Sequence, residues 1–81
     1  MTEKDAIARV TTELKNDRLK FPPFNSPHEG YAVIQEELDE LWIEIKANSG
    51  RAQSAIEEAT QVAAMAVRYL MDLTGKGAAT Q

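Results

Sequence analysis

Eighty-one residues make one domain, residues 1–81, and 43% hydrophobic with 27% charged residues is a globular composition rather than a disordered one. The absence of cysteine and the single His28 exclude a disulfide framework, a Cys-ligated zinc site, a thiolate nucleophile and any site needing two histidines from one chain. The net charge of −4 argues against binding a nucleic-acid polymer, and no apolar run approaches the length of a membrane span, so a cytoplasmic protein without membrane contact is expected.

Thr2 and Asp5 form a capping-box pattern, and Ile7, Val10 and Leu14 follow at helical spacing, which predicts a first helix over residues 3–19. Its end is basic (Lys15, Arg18, Lys20), as suits the negative pole of a helix. Phe21-Pro22-Pro23-Phe24-Asn25 cannot continue a helix, because each proline lacks an amide donor and restricts the residue before it. Ser26 as N-cap, Pro27 at the first helical position and Glu29 closing a second capping box predict a sharp start for helix 2. Tyr31, Ile34, Leu38, Leu41 and Ile45 then mark one apolar face, and Asn48-Ser49-Gly50 ends the helix. A third helix is predicted from about residue 52 to 73, with Ile56, Ala59, Ala63, Ala66, Leu70 and Leu73 toward the core and a frayed tail from about residue 74. There is no strand pattern, so the fold class is all-α, with helices 2 and 3 antiparallel across a short turn.

Val33 and Ile43 fall off the main stripe of helix 2, as Ala64 and Met65 do on helix 3. A chain this short builds a thin core, and burial of these residues against a second copy predicts a homodimeric or tetrameric helical bundle.

The acidity is concentrated in one segment. Residues 28–48 carry six acids and one base, so this stretch is −5 and the rest of the chain sums to +1. Glu36, Glu37, Glu40 and Glu44 are neighbours at helical spacing, and no Lys or Arg lies between residues 21 and 45 to offset their repulsion. Helix 3 carries Glu57 and Glu58, with Gln61 three residues on. Glu40 and Glu58 each lie about eight to ten residues from the turn, or roughly 12–15 Å along an antiparallel pair, so the two clusters can meet. Their ligands would be all oxygen, which suits magnesium or manganese rather than zinc or copper. A solvated acidic face on a plain helical scaffold is the alternative reading of the same residues.

The string Glu36-Glu37-Leu38-Asp39-Glu40-Leu41 resembles the Glu-Glu-x-x-Glu motif of the MazG-like all-α nucleoside triphosphate pyrophosphohydrolases. Glu57-Glu58-Ala59-Thr60-Gln61-Val62 resembles the second motif of that superfamily, Glu-x-x-Asp, and the layout from Ser26 to Leu73 is similar throughout. The resemblance implies hydrolysis of (deoxy)nucleoside triphosphates between the α and β phosphates, with Mg2+ (or Mn2+) as cofactor, in a homo-oligomer. It implies Glu37, Glu40 and Glu58 as metal ligands and Glu36 as a further carboxylate. Gln61 stands where the family has Asp, so that ligand would be uncharged, and a catalytically degenerate nucleotide- or protein-binding module is the second expectation. A carboxylate free of the metal, Glu36 or Glu37, would take the proton of the attacking water. Candidate phosphate-binding cations are Lys46 and Arg51, with Lys15, Arg18 and Lys20 behind them. Phe24 and His28 are candidates for holding the base, whereas Tyr31 and Trp42 suit a core or an interface.

Overall fold

The structure is a computed structural model and describes residues 1–74. The expected fraying from about residue 74 falls, beyond Thr74, outside the described residues. Three helices make up the described chain, α1 (Glu3–Lys20), α2 (Pro27–Ala47) and α3 (Gln53–Thr74), with no strand among the described residues. None of these helices is long and apolar enough to cross a membrane.

Local chemistry sets the helix starts. The Thr2 hydroxyl accepts from the Asp5 amide at 3.1 Å and the Asp5 carboxylate accepts from the Thr2 amide at 3.5 Å, completing the first capping box. At α2 only half of the expected box forms. The Ser26 hydroxyl accepts from the Glu29 amide at 3.1 Å, but the Glu29 carboxylate accepts instead from the Asn25 amide, at 2.8 Å. That amide belongs to the incoming loop, so Glu29 fixes the approach of the chain to α2.

Helix α3 lies at the centre. It packs against α2 along one side and against α1 along another, and α1 and α2 do not pack on each other. The start of α2 meets the end of α3, which makes the pair antiparallel: a Cβ on Gly30 would lie 2.6 Å from Cδ2 of Tyr69 and 3.3 Å from Cδ1 of Leu73. Gly30 is a glycine for want of space. Gly30→Ala is expected to lower stability by a net of about 1–2 kcal/mol, the ring clash outweighing the gain in helix propensity. A thermal melt checks this, and an unchanged midpoint would mean that the Tyr69 ring simply steps aside.

The central position of α3 corrects the expected core. Ala64 and Met65 are fully or almost fully buried within the single chain, with Phe24, and Val10, Val33, Ile34, Tyr69 and Leu73 pack around them. They therefore belong to the interior of this chain rather than to a contact with a second copy. Two neighbours bury two faces of α3, so a single stripe could not describe it. The expected stripes are correspondingly half exposed: Ile7 on α1, Tyr31, Leu38 and Ile45 on α2, and Ala59, Ala66 and Leu70 on α3 all face out. Ile43 is exposed as well.

The Pro-rich loop is tied down by α3. Asp72 accepts from the Phe24 amide at 3.0 Å and pairs with Arg18 at 3.4 Å. Arg68 donates to the Pro22 carbonyl at 3.0 Å, with its guanidinium 4.3 Å from the centroid of the Phe24 ring. These contacts hold the loop against the last turns of α3 and shape a cleft between α1 and α2.

A candidate metal centre and its cleft

Glu37 and Glu40, three positions apart, project from one side of α2, and Glu58 projects from the facing side of α3. One carboxylate oxygen from each lies within 4.8 Å of the other two. The antiparallel pairing brings together residues that are close to twenty positions apart, as their distances from the turn predict. Two oxygens on one magnesium ion lie at most about 4.2 Å apart, at metal–oxygen distances of about 2.1 Å, so a small inward movement would let all three share an ion.

The electrostatics of the cluster are unrelieved. The only ion pair among the described residues is Arg18–Asp72, so none of the three carboxylates is salt-bridged. Like charges this close repel by about 1 kcal/mol per pair even at the dielectric of bulk water. Burial, then the Glu40 carboxylate and then Glu58 push the Glu37 carboxyl up to about 7. Glu58 is raised as well, by burial first and then by Glu40. Oε2 of Glu58 is buried without any hydrogen-bond partner. An orphaned buried oxygen within a crowded set of hard oxygen donors is what a divalent cation would satisfy. By this test the residues fit magnesium or manganese.

The cluster stands where two open hollows meet. The more polar one, 580 Å³, lies between α1 and α3 and is walled by Arg9, Thr12, Glu13, Glu57 and Glu58 among others. The more apolar one, 360 Å³, is lined by Phe21, Phe24, Val33 and Met65 together with Glu36 and Glu37. Gln61 lines both. Thus Glu36 and Glu37 line the apolar hollow and Glu58 the polar one, Gln61 lines both, and Glu40 lines neither but joins Glu37 and Glu58 in the carboxylate trio.

The expected substrate-binding residues separate. Phe24 lines the apolar hollow, but as a buried ring under Arg68 rather than as an open platform. His28 is exposed and lines neither hollow. Neither hollow includes Lys46 or Arg51; Lys46 instead sits 5.5 Å over the half-exposed Trp42 ring. Arg18 is engaged with Asp72.

Three charged residues that sequence reasoning passed over enter the cleft in their place. Arg9 lines the polar hollow, and its Nε is buried without a partner. Asp17 and Arg68, each only 5% exposed, line the apolar one. Asp17 is raised from the usual carboxylate range by burial first and then by the neighbouring Glu13, with Arg68 and Lys20 opposing. Two sequence features point to them. Asp17 is an acid in the otherwise basic last turns of α1, against the helix dipole. Arg68 is the one charge between Val62 and Met71.

Comparison with known protein families, with curated proteins and with solved structures finds no match to the chain.

Proposed function

We propose that the chain is a metal-dependent nucleoside triphosphate pyrophosphohydrolase of the MazG-like kind, working on the cytoplasmic nucleotide pool. The observation that carries the reading is the trio Glu37, Glu40 and Glu58, converging from two helices, with Glu58 lining a polar hollow and Glu37 an apolar one. A triphosphate has the matching shape: a polyanion that needs a cation, and a flat base that needs an apolar slot.

Glu37, Glu40 and Glu58 would hold the magnesium or manganese ion, with the Gln61 carbonyl beside them. Bound there, the metal supplies neutralisation of phosphate charge and a lowered pKa for its water. Glu36 lies outside the trio, lines the apolar lobe beside Glu37, and accepts the proton of the attacking water. The water oxygen bonds to the α-phosphorus, the bond from that phosphorus to the αβ bridging oxygen breaks, and pyrophosphate leaves with the electron pair. Arg9 supplies positive charge in the polar lobe, where the phosphate chain would lie.

A second copy of the chain completes the assembly in this reading. Tyr31, Leu38, Trp42 and Ile45 are spaced by seven, four and three residues, which places them along one stripe of α2, and all are exposed. They offer an apolar surface for a dimeric or tetrameric bundle.

The test is pyrophosphate release from a panel of ribo- and deoxynucleoside triphosphates. Release is expected with magnesium or manganese and none after chelation; no release from any nucleotide would overturn the enzyme reading. Gln61, a neutral residue at the junction of the two lobes, favours the degenerate binding module as the second reading. That reading keeps metal-dependent stabilisation and loses turnover.

A further inference from the structure

The apolar lobe holds a buried polar pair that the metal chemistry does not use. Asp17 comes from the last turn of α1 and Arg68 from the last third of α3; both are nine-tenths buried or more and line the same hollow. They form no ion pair with each other. Arg68 is already engaged, donating to the Pro22 carbonyl at 3.0 Å and to Sδ of Met65 at 3.4 Å while lying over Phe24. The Asp17 carboxyl lies against that of Glu13 on the same helix, yet its Oδ2 is buried and accepts from no donor. A buried acceptor left unmade is costly, and native structures keep such groups where something else supplies the donor.

The surroundings define that donor. Phe21 offers the lobe an exposed ring, and Val33, Met65 and the edge of the buried Phe24 complete an apolar lining, which suits a planar ring rather than an ion. Glu37, a member of the carboxylate trio, lines the same hollow beside Glu36, so a ring held there would be carried by a group that reaches the trio. A carboxylate at the wall of a slot for a planar ring accepts from an N–H on the edge of that ring. Resting on the nucleotide reading above, we propose that Asp17 is a specificity-determining residue that selects nucleobases carrying an exocyclic amino group over their keto counterparts. The amino group presents two donors to the carboxylate. A carbonyl at the same ring position presents lone pairs to it and leaves Oδ2 unsatisfied.

The test uses matched 5′-monophosphates without added metal, so that neither turnover nor the carboxylate trio enters the measurement. Cytidine is compared with uridine monophosphate, and adenosine with inosine monophosphate, by titration calorimetry. Amide shifts around Phe24 and Arg68 report the place of binding. The amino member is expected to bind at least about 10-fold more tightly in the pair whose ring size suits the slot, and the preference is expected to vanish in Asp17→Asn. The wild-type comparison stands by itself if that variant does not fold. Equal or tighter binding of the keto member in both pairs overturns the assignment, whatever the enzyme does with triphosphates. So does the absence of monophosphate binding in a chain that releases pyrophosphate. An amino preference in a chain that releases none supports the Asp17 assignment and overturns only the catalytic reading.

Discussion

Glu58→Gln is expected to reduce metal-dependent pyrophosphate release by at least about 100-fold, a loss typical of a removed catalytic or metal-binding group. Glu58 is the only carboxylate that α3 contributes to the trio, so its loss leaves two ligands on a single helix. The amide keeps the size of the side chain and removes its charge. The same change relieves repulsion in the metal-free protein, because Glu58 raises Glu37 and is itself held up by burial and by Glu40. Activity should therefore fall while the metal-free melting temperature stays level or rises. That opposite movement separates a lost ligand from a misfolded protein. Glu40→Ala is expected to behave in the same way, and an undiminished rate in either variant would dismiss the metal centre.

The second large effect is on stability. A ligand present at about 100 times its Kd adds about 2.7 kcal/mol to the folded state when the unfolded chain does not bind it. For a domain of this size each kcal/mol moves the melting temperature by about 4–8 °C, so saturating magnesium at pH 8 is expected to raise it by roughly 10–20 °C. The size of the gain depends on pH. The Glu37 carboxyl, raised from 4.5 to about 7, holds its proton more tightly in the folded than in the unfolded chain. Its stabilising contribution is thus fully present below about pH 4.5 and is lost as pH rises through about 7. Glu58 shifts in the same direction. Screening by solvent limits the contribution of Glu37 to about 1 kcal/mol. Without metal the protein should melt higher at pH 5.5 than at pH 8. With metal the order should reverse, since protons compete for the ligand oxygens. A melting temperature indifferent to metal at both pH values would favour a plain acidic face.

Much of this protein is local and therefore legible from its sequence. Helix starts are settled by a hydroxyl at Thr2 or Ser26 and a proline at 27, all within four residues of the groups they serve. The meeting of Glu37, Glu40 and Glu58 is nearly as local. Once a short turn makes two helices antiparallel, equal distance from that turn means equal height, and rise per residue does the rest. The placement of α1 is of another kind. Nothing in its spacing says which side of α3 it covers, because a helix of marginal amphipathicity can dock on either flank of a hairpin with similar burial. That choice turned Ala64 and Met65 inward and left Leu38, Trp42 and Leu70 exposed. It also formed the walls of the cleft and brought Arg9, Asp17 and Arg68 to it, while Lys46 and Arg51 stayed away. The sequence by itself determined the helices and the carboxylates that face each other between two of them. Only the tertiary structure decided what lies beside those carboxylates, because which charges are buried depends on the packing of segments some fifty residues apart and not on the period of any one of them.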